Sequence, residues 1–251
     1  MPPKPQILEV WGEFACFSRP ELKIERFSYP CPTPSAARGV FDAVYSKPNK
    51  DPTQAQFRWQ VTKIEILKPI QYVALRRNEV KDKCNVNAVQ KWMAGKADPE
   101  PIWADGDEGS NYFGADKKGR TQRQTMALKE VCYRLHAEII PWPGHEHKIP
   151  ALECQFRRRA KHGKCFYQPY FGCREFPAYF ELIENGNRGA DPIPLDQDIG
   201  WMLYDVFDLS RPGRSDDRPS ISLFNASIRA GVMDVPEFDS AAVHKAVKEV
   251  G

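Results

Sequence analysis

The sequence predicts an α+β fold. It reads as a ferredoxin-like βαββαβ N-terminal domain, the layout also used by the RNA-recognition motif, with a hairpin insertion and a small β-rich C-terminal part. Three observations predict it. Stretches of period two and of period 3.6 succeed one another as strand, helix, strand, strand, insertion, helix, strand. Thr33-Pro34 is a helix-start signal, with Thr as cap and Pro at the first helical position. Val131, Tyr133, Leu135, Ala137 and Ile139 alternate with Cys132, Arg134, His136 and Glu138, as in a strand with two unlike faces.

Taken in order, Gln6 to Phe17 alternates as a strand. The first helix runs from about Ser35 to Tyr45, with Ala37, Val40, Phe41 and Val44 as its apolar stripe, and Pro48 closes it. Phe57–Leu67 and Ile70–Val80 read as two strands joined at Pro69 as a hairpin. Lys81 to Gly119 is poorly periodic and rich in Asp, Asn, Gly and Lys, and reads as mobile loops. Arg123–Ile140 is strand. Pro150–His162 is helix, with Leu152, Phe156 and Ala160 at four-residue steps. Phe166–Ile183 is aromatic and strand-like, Met202–Leu209 and Ser220–Ile228 are further strands, and the last dozen residues form a short helix or a frayed tail. The expected organisation is one RNA-binding domain over residues 1–184, with an insertion at about 81–140, and a C-terminal subdomain over 185–251.

Hydrophobic residues make up 41% and charged residues 27% of the 251, an ordinary globular balance. No apolar run reaches the roughly 20 residues of a membrane span, and the N-terminus lacks a signal-peptide pattern, so a cytoplasmic protein without membrane contact is expected. Seven cysteines, none in C-x-x-C spacing, read as reduced thiols and not as a zinc site or a disulfide framework. The net charge is only +3, but it is unevenly spread. Residues 117–164 hold twelve Lys or Arg against four Glu, whereas residues 184–251 hold twelve Asp or Glu against seven Lys or Arg. A basic middle points to a localised polyanion-binding surface.

Several constellations could carry that binding. Small residues at the start of the first helix would let a phosphate approach its free N–H groups. Tyr45, beside Ser46-Lys47, is a phenol next to a cation and so a candidate for proton transfer. Arg76 and Arg77 are adjacent on a strand and must face opposite ways. Lys117-Lys118-Gly119-Arg120-Thr121-Gln122-Arg123 is a basic loop able to hold a scissile phosphate. Arg157-Arg158-Arg159 closes a helix and is followed by Phe166, Tyr167, Tyr170 and Phe171, a pairing of cations for backbone and rings for bases. No Walker loop, dinucleotide fingerprint or zinc-protease motif occurs, and no acidic cluster suggests a two-metal nuclease. His145-Glu146-His147 reads as an exposed turn. No cofactor and no metal are expected. A ribonuclease of this composition would align the RNA 2′-hydroxyl against the neighbouring phosphorus.

The long motifs are recognisable. Val10-Trp11-Gly12-Glu13-Phe14-Ala15-Cys16-Phe17-Ser18-Arg19-Pro20-Glu21-Leu22-Lys23, Thr33-Pro34-Ser35-Ala36-Ala37-Arg38-Gly39, Arg76-Arg77-Asn78-Glu79-Val80-Lys81, Arg120-Thr121-Gln122-Arg123, Phe156-Arg157-Arg158-Arg159-Ala160 and Arg174-Glu175-Phe176-Pro177 resemble the Cas-five family of type I-C CRISPR systems, from about Ile7 to Leu182. The resemblance implies metal-independent cleavage of CRISPR repeat hairpins in precursor crRNA, leaving a 2′,3′-cyclic phosphate and a 5′-hydroxyl. It implies retention of the 5′ handle within the surveillance complex (Cascade), beside its large and backbone subunits, with target duplex DNA reached through that complex. It also implies a catalytic tyrosine at the end of the first helix plus a lysine and a histidine in a basic loop. Tyr45 matches the tyrosine, and Lys118, with Lys117 as substitute, matches the lysine. Gly119 stands where the histidine is expected. The RNA-contact candidates are Arg19, Lys23, Arg26, Arg38, Arg76, Arg77, Arg120, Arg123, Arg157, Arg158 and Arg159. The rival reading is a subunit of the same complex that binds the handle without cutting.

Overall fold

Strand β1 (Gln6–Ala15) buries Gln6, Leu8, Val10 and Gly12 and exposes Trp11 and Glu13, so one face seeks a core and the other water. In the computed structural model of the protein, which describes residues 3–22, 24–46, 55–80, 84–99, 120–184, 189–213 and 217–245, that core is built by two helices on one face of an antiparallel sheet. After β2 (Arg26–Phe27) comes α1 (Pro34–Val44), whose first turn is capped by Thr33 Oγ1 accepting from the Ala36 N–H at 3.2 Å. β3 (Phe57–Ile66), β4 (Tyr72–Val80), α2 (Val86–Met93), β5 (Arg120–Pro141), α3 (Ile149–Lys161) and β6 (Tyr179–Leu182) follow. The sheet runs β6-β1-β5-β3-β9, the last being Val232–Asp234, with β2 and β4 also paired to β5. Leu135 of β5 stands between Leu8 of β1 and Ile64 of β3. Phe41 of α1, Trp59 of β3 and Phe156 of α3 close the core, with ring centroids 4.8–5.7 Å apart.

The chain is a mixed α/β protein of antiparallel sheets, as expected in outline. Thr33 and Pro34 start the first helix, and Ile149–Lys161 is the second core helix, within a residue of the expected bounds. Four expectations need correction. Phe57–Leu67 and Ile70–Val80 are not a hairpin: both pair with β5. The Leu67 N–H donates to the Cys132 carbonyl, and the Lys129 N–H to the Gln71 carbonyl, so Pro69 merely interrupts one continuous edge. A 22-residue β5 is long enough to take both partners in turn. The stretch expected to be mobile loop contains α2, capped by Asn85 Oδ1 accepting from the Asn87 N–H. Phe166–Ile183 is strand only from Tyr179; Phe166, Tyr167, Phe171 and Phe176 lie on bends, where alternation has no pleat to follow. Val243–Lys245, expected as helix or tail, is strand β10.

The chain forms two compact units, one of 1–73 with 126–251 and one of 74–125. The first also holds a three-stranded sheet, β10-β8-β7, with β7 at Gln197–Asp205 and β8 at Ser222–Ile228. The second unit contains α2, which buries none of its side chains and leaves Val86 and Met93 exposed. Among the described residues, no helix is long and apolar enough to cross a membrane.

The sheet face opposite the core helices carries a charged ladder. Arg134 donates to Glu65 at 2.7 Å, to Glu9 at 3.3 Å and to the Ala190 carbonyl at 2.8 Å, and His136 lies 3.1 Å from Glu65. Burial, helped by Lys63, holds His136 down at about 4. On that part of the sheet, ion pairs occupy the face where an RNA-recognition motif would present aromatics.

Candidate nucleic-acid interface

The C-terminus of α1 is where the candidate site is built. A helix ends with main-chain oxygens that need partners, and here distant segments supply them. The Phe166 N–H donates to the Ala43 carbonyl at 2.7 Å, Arg159 Nε to the Val44 carbonyl at 2.7 Å, and Trp59 Nε1 to the Tyr45 carbonyl at 2.8 Å. The Tyr45 N–H closes the helix on the Phe41 carbonyl at 2.8 Å. Tyr45 itself is extended, which turns its side chain out of the helix and stacks its ring on Phe57 at 5.5 Å.

The result is a cleft of about 780 Å³, lined by Tyr45, Ser46, Gln56, Lys148, Gln155, Arg159 and Phe166, among others. The Arg159 guanidinium lies over the Phe166 ring, 4.1 Å from its centroid. Phe166 is itself half exposed. Burial raises the Tyr45 phenol above its usual 10, with Arg159 pulling the other way. The phenol therefore keeps its proton at neutral pH. Tyr45 is only 3% exposed, so its ring belongs to the core and only its edge meets the cleft, whose lining also holds Arg159 and Lys148. A protonated phenol at that edge can donate to a phosphate oxygen or to a leaving oxygen, while a base stacks on the exposed Phe166 ring.

The remaining predicted residues fall in several places. Arg157 and Arg158 line a second cleft of about 570 Å³ on the outer side of α3, with Lys4, Lys161 and His162. There Arg157 donates to Gln6 and the exposed Arg158 to Gln155. Arg19 lies 4.6 Å over the Tyr29 ring and 3.7 Å from Glu21, and Arg26 donates to the Cys173 sulfur at 3.1 Å. Arg38 is held by carboxylates: its Nε and Nη2 donate to Asp205 at 2.9 and 3.1 Å, and its Nη1 to Asp42 at 2.7 Å. Arg76, Arg77, Arg120 and Arg123 belong to the second unit, where Arg76 is exposed and Arg77 and Arg123 are half-buried. Lys23, Lys117 and Lys118 lie outside the described residues.

Sequence reasoning missed Lys148 and the place of Phe166 in the cleft. Lys148 had one signal, its position just before Pro150 at a helix start, but nothing in the sequence ties that position to Tyr45. A third cleft lies beside the start of α1, where small residues were expected to admit a phosphate; what the sequence did not show is that Asp42 also lines it and that Tyr167, Tyr170 and Phe207 wall it.

Fold and clefts together define an α/β protein with cationic, aromatic-walled surfaces suited to a polyanion. The family model described as CRISPR-associated protein Cas5, of the Cas5d type, matches residues 7–249, and the chain belongs to that family. It is 36% identical to the CRISPR pre-crRNA endoribonuclease Cas5d of Mannheimia succiniciproducens over 248 residues, covering 95% of this chain and 97% of the relative. It is also 36% identical to the protein of the same name from Thermus thermophilus, covering 91% and 90%. A crystal structure of a CRISPR-associated protein shares the fold, with a TM-score of 0.60, 16% identity and 96% of each chain covered.

Proposed function

We propose that this protein is a metal-independent endoribonuclease that cleaves CRISPR repeat hairpins in precursor crRNA, then keeps the 5′ handle as a subunit of a type I-C surveillance complex in the cytoplasm, beside its large and backbone subunits. The observation that carries the reading is the placement of Tyr45, protonated and close to Arg159, at a cleft also lined by Lys148, in a chain that belongs to the Cas5d family. Further support comes from the strand order β6-β1-β5-β3 with α1 and α3 as its crossovers, which is the ferredoxin-like arrangement we assign to the domain ending near residue 184.

In the step itself, the ribose 2′-oxygen bonds to the adjacent phosphorus and loses its proton, while the bond to the 5′-oxygen breaks. That oxygen takes up a proton and leaves as a 5′-hydroxyl, and the other product ends in a 2′,3′-cyclic phosphate. Tyr45 is the hydrogen-bond donor to the phosphate or the acid for the leaving oxygen, because burial favours its protonated form. Lys118, with Lys117 as substitute, supplies charge to the phosphate oxygens. Arg19, Lys23, Arg26, Arg76, Arg77, Arg120, Arg123 and Arg157–Arg159 contribute the electrostatic surface for the RNA, and target duplex DNA is reached through the assembled complex. Arg38 acts at one remove, through the carboxylates it holds.

The test is incubation of the purified protein with labelled repeat RNA in EDTA, with end-group analysis of the products. One cut at the hairpin base bearing a cyclic phosphate supports the nuclease. Tight binding with no cut supports the handle-binding subunit instead.

A further inference from the structure

The third cleft, of about 500 Å³, is lined entirely by the first unit and is chemically unlike the other two. Tyr167 lines it, and the preceding residue, Phe166, lines the Tyr45 cleft. Its walls carry the rings of Tyr167, Tyr170 and Phe207, and Tyr167 and Phe207 are about half exposed, at 50% and 47%. Of the Arg38 cluster, Arg38 and Asp42 line it, while Asp205 lies behind Arg38 and outside its lining.

The two carboxylates are differently placed. Asp205 is fully buried and saturated: it takes two Arg38 donors and caps the Val206 and Phe207 N–H groups at 2.8 and 3.0 Å. Asp42 lines the cleft and, among the described residues, accepts only from Arg38 Nη1, through Oδ2. An ionised carboxylate has about four acceptor positions. Beside Arg38, which lines the same cleft, Asp42 therefore keeps open acceptor positions, and these call for a ligand edge with neighbouring N–H donors. Flat rings beside it call for a flat ligand.

Among RNA bases, guanine alone presents two adjacent donors, N1–H and an N2–H, spaced to meet the two oxygens of a carboxylate. Adenine and cytosine each set an acceptor beside their amino group, and uracil flanks its one N–H with two carbonyls. We infer that this cleft is a guanine-binding pocket for an unpaired nucleotide of the bound RNA, in which Asp42 determines base specificity and Tyr167, Tyr170 and Phe207 hold the base by stacking. The inference rests on the RNA-binding function proposed above. It places a base reader one residue along the chain from the cleft that holds Tyr45.

The test uses fluorescein-labelled hexaribonucleotides UUUXUU, with X as guanine, inosine, adenine or uracil, titrated with purified protein and followed by anisotropy. Guanine binds most tightly. Adenine and uracil bind about tenfold more weakly, within the range set by a good bidentate base contact. Inosine, which lacks the 2-amino group, falls between them. Asp42→Asn keeps an acceptor for Arg38 and removes the preference for guanine over inosine. The comparison of the four probes needs no variant, so it stands even if Asp42→Asn fails to fold. Equal affinity for all four, no saturable binding of any, or an unchanged preference in a folded Asp42→Asn protein overturns the pocket. The repeat hairpin is titrated in parallel. A hairpin bound and cut without base preference in the hexamers overturns the pocket alone, whereas a hairpin neither bound nor cut overturns the functional reading.

Discussion

Arg159 holds the end of α1 by donating its Nε to the Val44 carbonyl at 2.7 Å, on the residue directly before Tyr45. The same guanidinium stacks on Phe166 and faces the cleft. A lysine keeps the charge but neither the planar stack nor the fixed fork. Arg159→Lys is therefore expected to lower stability by about 1.5–3 kcal/mol, roughly one hydrogen bond to a charged donor. Cleavage should fall more than binding does. Thermal melts and single-turnover cleavage, run side by side, check both halves.

Tyr45→Phe removes only an oxygen. The ring keeps its stack on Phe57, so the melting temperature should be unchanged, while single-turnover cleavage should drop by about 10²–10⁴, the usual worth of a positioned proton-transfer group. Because burial keeps the phenol protonated, the wild-type rate should not climb tenfold per pH unit between 7 and 9 on account of Tyr45. A climb that Tyr45→Phe abolishes would assign the tyrosine the role of base.

Asp205→Ala removes the bidentate partner of the buried Arg38, leaving it only Asp42, and uncaps the turn at Val206 and Phe207. Loss of one partner from a buried ion pair costs about 3–5 kcal/mol. The expected outcome is a large fall in denaturant midpoint with an unchanged salt slope of RNA binding, measured as affinity against potassium chloride. A changed slope would make Arg38 a phosphate contact.

Arg158 is exposed on α3, hydrogen-bonded only to Gln155 among the described residues. Arg158→Glu is expected to weaken repeat-RNA binding and to flatten the logarithmic salt slope by about 0.7–0.9, one phosphate contact's worth. An unaltered slope would remove the outer face of α3 from the interface.

His136 titrates at about 4 in the folded protein because burial and Lys63 oppose its charge, against about 6.5 when unfolded. A depressed pKa means the unfolded state binds the proton more readily. Stability is thus fully present above pH 6.5 and is lost as pH falls toward 4. We expect roughly 1 kcal/mol lost at pH 5, about half the ideal linkage value for a shift of this size. Melts from pH 7.5 to 5 in the wild type and in His136→Gln should show the slope flattened in the variant.

The elements with local signals were legible in the sequence: the capped start of α1, the period of α3, and the alternation through β5. What could not be read were choices made between distant segments. Nothing near Pro69 says that β3 and β4 share one edge of β5 instead of pairing with each other. Arg38 looks like any helical cation until Asp205, far along the chain, is folded against it. Tyr45 was legible as a site residue from its place at the end of a helix, but the residues that share its cleft, Lys148, Arg159 and Phe166, come from the turn before another helix, from that helix and from the turn beyond it.

The borrowed caps at the end of α1 have a consequence for when the cleft comes into being. Its main-chain oxygens are satisfied by β3, by the last turn of α3 and by Phe166, and synthesis delivers these in that order. A chain released only as far as β3 leaves Val44 and Ala43 without their partners, and Tyr45 sits on a fraying end. Long-range closures of this kind come late in folding. The cleft is therefore a record of completed assembly, and a half-made chain holds the tyrosine but not the site.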